Sequence, residues 1–190
     1  MSQNTKHNED LRVRRTRKLL MQALVELTVE RGFSSITVQD IANRAMVHRA
    51  TFYRYYRDKY DLLDQYMIDV YQLTGEQTTD ASGKSLVGMS KMLELVRTHA
   101  DFYRAMLGTK GDLAFMQRIQ QYIEMRLRSL MSSNDVAQSV NGLPLDLCVN
   151  YVSYAGIGLL VWWLQAGQVY SPDQVVAWQA QLNRGIFELL

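Results

Sequence analysis

Very few residues in this sequence can interrupt a helix. Its 190 residues include only 2 prolines and 11 glycines, the residue types that most reliably end helices and build the tight turns of β-sheets. Hydrophobic residues make up 47% and charged residues 21%, a balance typical of a folded globular chain. We therefore predict an all-α fold of about nine helices.

Charge is divided unevenly along the chain. Residues 1–60 contain 12 Lys/Arg and 6 Asp/Glu, a net charge of +6, whereas residues 61–190 contain 9 and 13, a net charge of −4. A basic first third indicates that this part of the chain meets a polyanion. Five of the basic residues enter the first predicted helix, where phosphate contact and a solvated surface both remain open: Arg12, Arg14, Arg15, Arg17 and Lys18.

The first 60 residues contain the pattern of a compact three-helix unit. A helix over 12–31 is predicted from apolar residues spaced three and four apart, and Gly32 ends it. Thr37 caps a second helix, with Asp40 in its first turn. A third helix, 48–56, follows almost at once. Two short helices behind a longer one are the layout of a helix-turn-helix DNA reader, so we predict a flexible arm at 1–11 and a DNA-binding domain at 12–58.

The residues of this domain resemble those of the TetR family of transcriptional regulators. The resemblance covers roughly residues 14–63 and is carried by segments 37–42 and 47–63. Four features of these segments stand at the positions that the family pattern gives them. They are the cap Thr37, the small residue Ala42 of the second helix, the centre of the third helix at Thr51, Phe52 and Tyr53, and the trailing Lys59. The resemblance implies an all-α homodimer with DNA-binding domains followed by a helical ligand-binding and dimerisation domain, here 59–190.

Three positions depart from the usual pattern of the family. Met46 stands in the turn between the two short helices, where glycine is common. A non-glycine residue at positive φ costs free energy, so this turn is predicted to be strained or differently shaped. His48 replaces a small capping residue, and Tyr55 stands where histidine is frequent. These changes prevent the transfer of any operator preference.

The third helix is predicted to read DNA. Phe52 and Tyr56 define its buried side, so the intervening polar side chains face outward. Arg49 is placed to donate two hydrogen bonds to a guanine edge, and Thr51 to touch a base methyl group or a phosphate. The resemblance implies that other residues contact the DNA backbone. The full predicted set is Thr37, Arg49, Thr51, Tyr53, Arg54, Tyr55 and Lys59.

Helices are also predicted for the remaining two thirds of the chain, after a polar break at 74–83. Segment 147–172 contains 26 consecutive uncharged residues, which is long enough to span a membrane. Asn150, Gln165 and Gln168 instead favour a helix that is buried on one side in its own domain and on the other in a second subunit. The predicted dimer interface contains Gly158, Trp162, Trp178 and Leu182.

An effector site is predicted among aromatic and methionine side chains, although such stripes also form ordinary cores. Its predicted lining is uncharged, which favours an apolar or aromatic small molecule. The candidate residues are Tyr66, Phe102, Tyr103, Met106, Phe115, Tyr122, Met125 and Tyr151. No cofactor is predicted, and the three histidines lie too far apart in sequence for a metal site.

The sequence as a whole predicts a cytoplasmic, sequence-specific DNA-binding regulator and no enzyme. The single Cys148 fits a reducing compartment, and residues 1–10 contain no apolar signal segment. We interpret the chain as a repressor that a small-molecule effector releases from its operator. The alternative rests on segments 99–107, 162–167 and 171–174, which resemble the DhaS-like branch of the family. It is an activator controlled by a protein partner.

Overall fold

The computed structural model describes residues 2–75, 84–108, 111–132, 139–140 and 142–187. Within these ranges the chain is almost entirely helical, which confirms the all-α prediction. The elements in chain order are α1 (Ser2–Arg31), a single 3₁₀ turn (Phe33–Ser35), α2 (Val38–Arg44), α3 (Arg49–Tyr53), α4 (Lys59–Gly75), α5 (Lys84–Thr98), α6 (Ala100–Leu107), α7 (Leu113–Ser132), β1 (Ser139–Val140), β2 (Leu143–Pro144), α8 (Leu145–Gln165) and α9 (Pro172–Phe187).

The chain divides into two compact units, Met1–Glu76 and Gln77–Leu190. The division predicted from sequence separated residue 58 from residue 59, whereas the structure includes α4 in the first unit. The reason is that Leu62 and Leu63 of α4 are fully buried and α4 packs against α1. The predicted polar break at 74–83 lies mostly outside the described residues, except that 74 and 75 continue α4.

The first unit is organised around one long helix. α1 begins at Ser2, so the segment predicted to be a flexible arm continues the helix. No proline or glycine occurs in α1, and extending an existing helix is far less costly than nucleating one. Its buried stripe contains Leu20, Leu24 and Leu27. Gly32 follows at a φ of 80°, which a residue without a Cβ atom adopts without steric cost.

α2 ends in a fully formed Schellman turn. The Val47 N–H donates to the Ala42 carbonyl at 3.0 Å, and the Met46 N–H donates to the Asn43 carbonyl at 3.0 Å. This pair of bonds places Met46 at the position that glycine normally occupies. Its φ is 55° and its side chain is 87% exposed. The turn therefore keeps the left-handed shape that the family usually builds with glycine, at a cost of about 1–2 kcal/mol for a residue with a Cβ atom.

The second unit consists of α5–α9 with a short hairpin before α8. The two-residue strands β1 and β2 pair antiparallel, with Val140 opposite Leu143. These strands were not predicted, because two residues are too few to show alternation. Pro144 is the N-cap residue of α8, and Pro172 is the first residue of α9. Trp163 is the largest fully buried side chain, and its indole N–H donates to the Tyr170 carbonyl at 2.9 Å.

Candidate nucleic-acid interface

α3 is attached to the first unit by two aromatic side chains. Phe52 is completely buried and Tyr56 nearly so, and their ring centroids lie 5.7 Å apart. The prediction that these two residues form the buried side of the third helix is confirmed. The helix itself is shorter than predicted, Arg49–Tyr53, because the chain leaves helical geometry after its C-cap residue, Arg54. The anchored side leaves the opposite side of α3 open to solvent.

Arg49 and Tyr53 form a pair on the exposed side of α3. The Arg49 guanidinium donates to the Tyr53 hydroxyl at 3.0 Å, and its central carbon lies 5.4 Å from the centroid of the tyrosine ring. The two residues are four apart, so they are neighbours on a helical surface. This bond uses one N–H donor of the Arg49 guanidinium. The other N–H donors can still bind a base edge or a phosphate.

Tyr55 connects the end of α3 with α1. The guanidinium carbons of Arg17 and Arg54 each lie 5.7 Å from the centroid of its ring. Of the basic residues that enter α1, Arg17 is therefore in contact with the recognition region. The other four are exposed: Arg12, Arg14, Arg15 and Lys18. Arg17 and Arg54 thus bring two cations to the end of α3, where a phosphate backbone could be bound.

Thr37 and Asp40 form a capping box at the start of α2. The Asp40 N–H donates to Thr37 Oγ1 at 3.2 Å, while the Thr37 hydroxyl and N–H donate to Asp40 Oδ2 at 2.6 and 2.8 Å. The hydroxyl bond, followed by the backbone bond, lowers the pKa of the Asp40 carboxyl. The predicted cap is confirmed. Its geometry directs the Thr37 hydroxyl proton to Asp40, and contact of Thr37 with a DNA phosphate stays a prediction.

The Lys59 side chain turns inward. Its ammonium donates to the carbonyls of Phe33, Ser34 and Ile36 at 2.8, 3.1 and 2.9 Å. It also lies 4.7 Å from the centroid of the Phe33 ring. An ammonium has three N–H donors, which matches the number of these carbonyls. Contact of Lys59 with the DNA backbone stays a prediction. In the structure its ammonium holds the segment between α1 and α2, where the helix end leaves carbonyl groups that need donors.

An ion-pair network that the sequence did not reveal joins α2 to α1. Arg44 pairs with Glu30 at 2.6 Å and with Glu26 at 3.1 Å. The hydrogen bond from Arg44 is the main reason that the pKa of Glu30 is lowered. The residues are 14 and 18 positions apart in sequence, so no helical spacing indicates the pairing. It helps to fix the direction of α2, and thus of the turn that leads into α3.

The predicted effector residues are only partly brought together. Three of them, Phe102, Tyr103 and Phe115, form a buried aromatic cluster in the second unit, and Met106 is also buried, on α6. The ring centroid of Phe115 lies 5.9 Å from that of Phe102 and 6.2 Å from that of Tyr103. These distances are typical of packed aromatic pairs.

The remaining candidates lie elsewhere. Tyr66 belongs to α4 in the first unit, where it is buried, and Tyr122 on α7 accepts a long hydrogen bond of 3.5 Å from Arg126. Tyr151 and Met125 are exposed. For Tyr151 the reason is that it lies on the side of α8 opposite its buried residues. It therefore does not line a site inside the unit.

α8 has two different apolar sides. One side is buried in its own unit and includes Val149, Val152 and Trp163. The other is exposed and follows helical spacing: Leu147, Tyr151, Tyr154, Ala155, Gly158 and Trp162. We call this exposed set the α8 stripe. A Cβ atom added at Gly158 would meet nothing within 4 Å, so this residue faces open space. By length and composition α8 is the one helix in the described ranges that could cross a membrane. A soluble core helix meets the same criteria.

The stripe continues into an aromatic group near the start of α9. Trp162 stacks on Tyr170 with 5.8 Å between centroids, and Trp178 meets Tyr170 edge-on at 4.9 Å. Leu182 is exposed one turn further along α9. The four predicted interface residues therefore share one property, since Gly158, Trp162, Trp178 and Leu182 are all solvent-exposed in the single protomer.

A helix-turn-helix with an exposed basic reading helix, joined to a helical unit, defines a DNA-binding transcriptional regulator. Two family profiles match this chain: "Bacterial regulatory proteins, tetR family" over residues 20–66, and "Transcriptional regulator C-terminal region" over residues 85–183, about half of the chain. The chain belongs to the TetR family of bacterial transcriptional regulators.

Comparison with individual proteins agrees with this assignment. The chain is 24% identical over 164 residues to YxbF, an uncharacterised HTH-type transcriptional regulator of Bacillus subtilis (strain 168). The match covers 81% of this chain and 41% of that protein, so the chain spans less than half the length of this curated relative.

Solved structures share the fold. A TetR transcriptional regulator from Streptococcus agalactiae 2603V aligns with a TM-score of 0.71 and 22% identity, over 93% of this chain and 98% of its own. The dihydroxyacetone kinase operon activator DhaS aligns with a TM-score of 0.66 and 17% identity, over 92% and 97%. FadR from Bacillus subtilis, in complex with stearoyl-CoA, aligns with a TM-score of 0.58 and 20% identity, over 87% and 96%.

Proposed function

We propose that this regulator is a cytoplasmic homodimer that represses transcription from a two-fold operator and is released by an apolar small molecule. The observation that carries the DNA-binding part is the arrangement of α3, in which Phe52 and Tyr56 are buried while Arg49, Tyr53 and Arg54 are exposed. In this proposal Arg49 reads a guanine edge and Thr51 a base methyl group or a phosphate. Tyr53, Arg54, Tyr55 and Arg17 bind the phosphate backbone.

The α8 stripe supports the proposed dimer. A helix-turn-helix protein that reads two half-sites needs a second copy, with its reading helix one DNA turn away. A stripe of exposed tyrosine, tryptophan, alanine and glycine on one long helix suits a four-helix interface, in which small residues allow close approach and aromatics supply buried area. Contiguous exposed apolar surface often marks a protein–protein interaction site.

We place the proposed apolar effector in the second unit, beside the buried aromatic cluster. In the proposed mechanism the effector binds the second unit near Phe102, Tyr103 and Phe115 and changes the distance between the two α3 helices of the dimer. The operator complex then loses the contribution of its second half-site. FadR, which shares this fold, holds stearoyl-CoA, a molecule with a long apolar chain. A tenfold release requires about 1.4 kcal/mol of difference in effector affinity between the two states.

The test begins with selection of duplexes from a random-sequence library by the purified protein. Thermal-shift screening of aromatic and lipophilic compounds, long-chain acyl-CoA included, then looks for a molecule that stabilises the fold. We expect a stabiliser that also weakens binding to the selected duplex. If no compound class stabilises the protein, the effector part of the proposal is wrong. If no sequence is enriched, the operator part is wrong.

A second candidate is an activator controlled by a protein partner. It is favoured by the fold shared with the activator DhaS and by the segments that resemble its branch. A pull-down from cell extract with and without the selected duplex separates the two candidates. A protein captured only when DNA is bound, together with no compound that changes DNA affinity, favours the activator.

A further inference from the structure

Met46 stands out because it combines a costly backbone with a side chain that contacts little of the protein. The Schellman turn fixes its φ at 55° through the bonds from Met46 and Val47 to Asn43 and Ala42. Its side chain is 87% exposed, so burial within the protomer does not offset the backbone strain. Strain of this kind is often kept where the side chain has a functional role.

The chain itself offers a matched comparison. The turn after α8 is also a Schellman turn, with the Gln168 N–H donating to the Trp163 carbonyl at 3.1 Å and the Gly167 N–H to the Leu164 carbonyl at 3.4 Å. There the equivalent position is held by Gly167, at a φ of 72°. The turn after α2 has the same bonding pattern with methionine instead. The local bonding pattern therefore does not require a side chain at this position.

The position of Met46 relative to α3 indicates what the side chain can reach. It precedes Arg49, the first residue of α3, by three positions. In a helix-turn-helix the second helix lies in the major groove and its N-terminal residues meet the base edges. The turn immediately before that N-terminus is therefore carried to the DNA surface, where a flexible, polarisable thioether can adapt to apolar atoms.

We propose that Met46 is an operator-binding residue that makes an apolar contact with DNA. DNA offers two apolar partners at this place, the thymine C5 methyl group in the major groove and the carbon atoms of deoxyribose. This inference rests on the operator binding proposed above. It assigns a positive role to the residue that departs from the usual glycine.

The experiment compares variants on a duplex that the wild-type protein selects from a random library. Met46→Gly restores the residue that suits the turn and removes the side chain. We expect its melting temperature to be equal to or above that of wild type, by up to about 4 °C. We expect its operator Kd to rise roughly fivefold or more. Met46→Asn, which also tolerates left-handed backbone, should lose the same affinity, whereas Met46→Leu should retain most of it.

Gln168→Gly is the control for strain alone. Gln168 also has positive φ, 58°, but it lies in the second unit, so its replacement should leave the operator Kd unchanged. Duplexes with deoxyuridine in place of individual thymines identify the partner. If replacing a thymine by deoxyuridine weakens binding of the wild-type protein but not of Met46→Gly, the thymine methyl group is the partner of Met46. If no such replacement weakens wild-type binding, the partner is deoxyribose.

Two results overturn the proposal. One is wild-type operator affinity in Met46→Gly, and the other is an equal loss in Met46→Leu and Met46→Gly. If the wild-type protein selects no sequence, operator binding itself fails and the role of Met46 fails with it. That outcome differs from one in which the wild-type protein selects an operator and only the Met46 variants contradict the proposed contact.

Discussion

The two units of this regulator are stabilised in different ways. In the first unit, short helices are positioned by polar contacts between identified atoms, such as the three carbonyls around Lys59 and the ion pairs of Arg44. In the second unit, long helices pack through apolar side chains, and one of them keeps an uncovered apolar stripe. Helices of five to seven residues, such as α2 and α3, bury too little surface to fix their own direction. Polar tethers therefore determine how the reading helix is presented.

This difference predicts that the second unit is most sensitive to a charge placed on its exposed stripe. Gly158→Arg has room in the protomer, so any effect comes from the partner subunit. An unpaired charge in an apolar interface costs several kcal/mol, on the order of 3–5. We expect a monomer in sedimentation at micromolar concentration and a loss of operator affinity of roughly 100-fold or more.

Gln121→Arg is the matched control, since it places the same charge on an exposed position of α7. It should remain dimeric. A dimeric Gly158→Arg protein would place the interface elsewhere on the chain.

The next largest effect is expected at the reading helix. Arg49→Ala should weaken operator binding by about 1–3 kcal/mol while weak non-specific binding changes little, because a base-edge contact distinguishes sequences and a phosphate contact does not. Competitive titration with operator and random duplexes measures both. Tyr53→Phe, which removes only the hydroxyl that holds Arg49, should lose less. Equal losses on both duplexes would show that Arg49 contacts phosphate.

Lys59 tests whether a polar tether stabilises the first unit. Lys59→Met keeps the apolar stem and removes the donors from three carbonyls. Hydrogen bonds to charged groups contribute about 1.5–3 kcal/mol, so the free energy of unfolding should fall by a comparable amount. The salt dependence of non-specific DNA binding should stay the same. A salt slope that falls by about one unit with unchanged stability would instead indicate the phosphate contact expected from sequence.

A smaller effect with a defined pH dependence is expected at the capping box. The Thr37 bonds lower the pKa of Asp40, so the folded state binds fewer protons here than the unfolded state near pH 4. The stabilisation is present above the unfolded pKa and is lost as the pH falls through the folded pKa. Asp40→Asn should therefore melt below wild type at pH 7, and the difference in melting temperature should shrink as the pH falls below the unfolded pKa of an aspartate and through the lowered pKa of the folded state. A difference of constant size throughout the acid range would mean that charge is not the cause.

The smallest effect is expected at Tyr56. Its ring is buried, its hydroxyl has no hydrogen-bond partner among the described residues, and burial raises its pKa. Tyr56→Phe keeps the packing against Phe52 and removes a polar group that gains nothing by burial. Stability should therefore change by less than about 1 kcal/mol. Denaturant titration that shows a larger loss would reveal a partner for the hydroxyl.

Features with a local sequence signal were predicted well. The helical spacing of Leu20, Leu24 and Leu27, the Thr37 cap and the buried pair Phe52 and Tyr56 each depend on residues within one or two turns of one another. Features that depend on contacts between distant segments were not predicted. Arg44 and Glu30 are 14 residues apart, and Lys59 meets carbonyls 23–26 residues earlier.

The second unit shows the same limit for side-chain direction. Its helical content was predicted, but composition alone did not distinguish Tyr151, which is exposed, from Phe115, which is buried. Both are aromatic residues in apolar helices. Whether each is buried depends on which side of α7 or α8 is covered by other helices, and tertiary packing determines that side.

The placement of the tryptophans has a practical consequence for optical measurements. The sequence has 3 tryptophans, and all of them, Trp162, Trp163 and Trp178, lie in the second unit. At the long-wavelength edge of the protein's ultraviolet absorption band only tryptophan absorbs. Excitation there therefore reports on the second unit alone. Trp163 is already shielded and should emit at a constant wavelength, whereas Trp162 and Trp178 should shift to the blue when a partner covers them. Dilution of the unlabelled protein would thus report the association equilibrium by its own fluorescence.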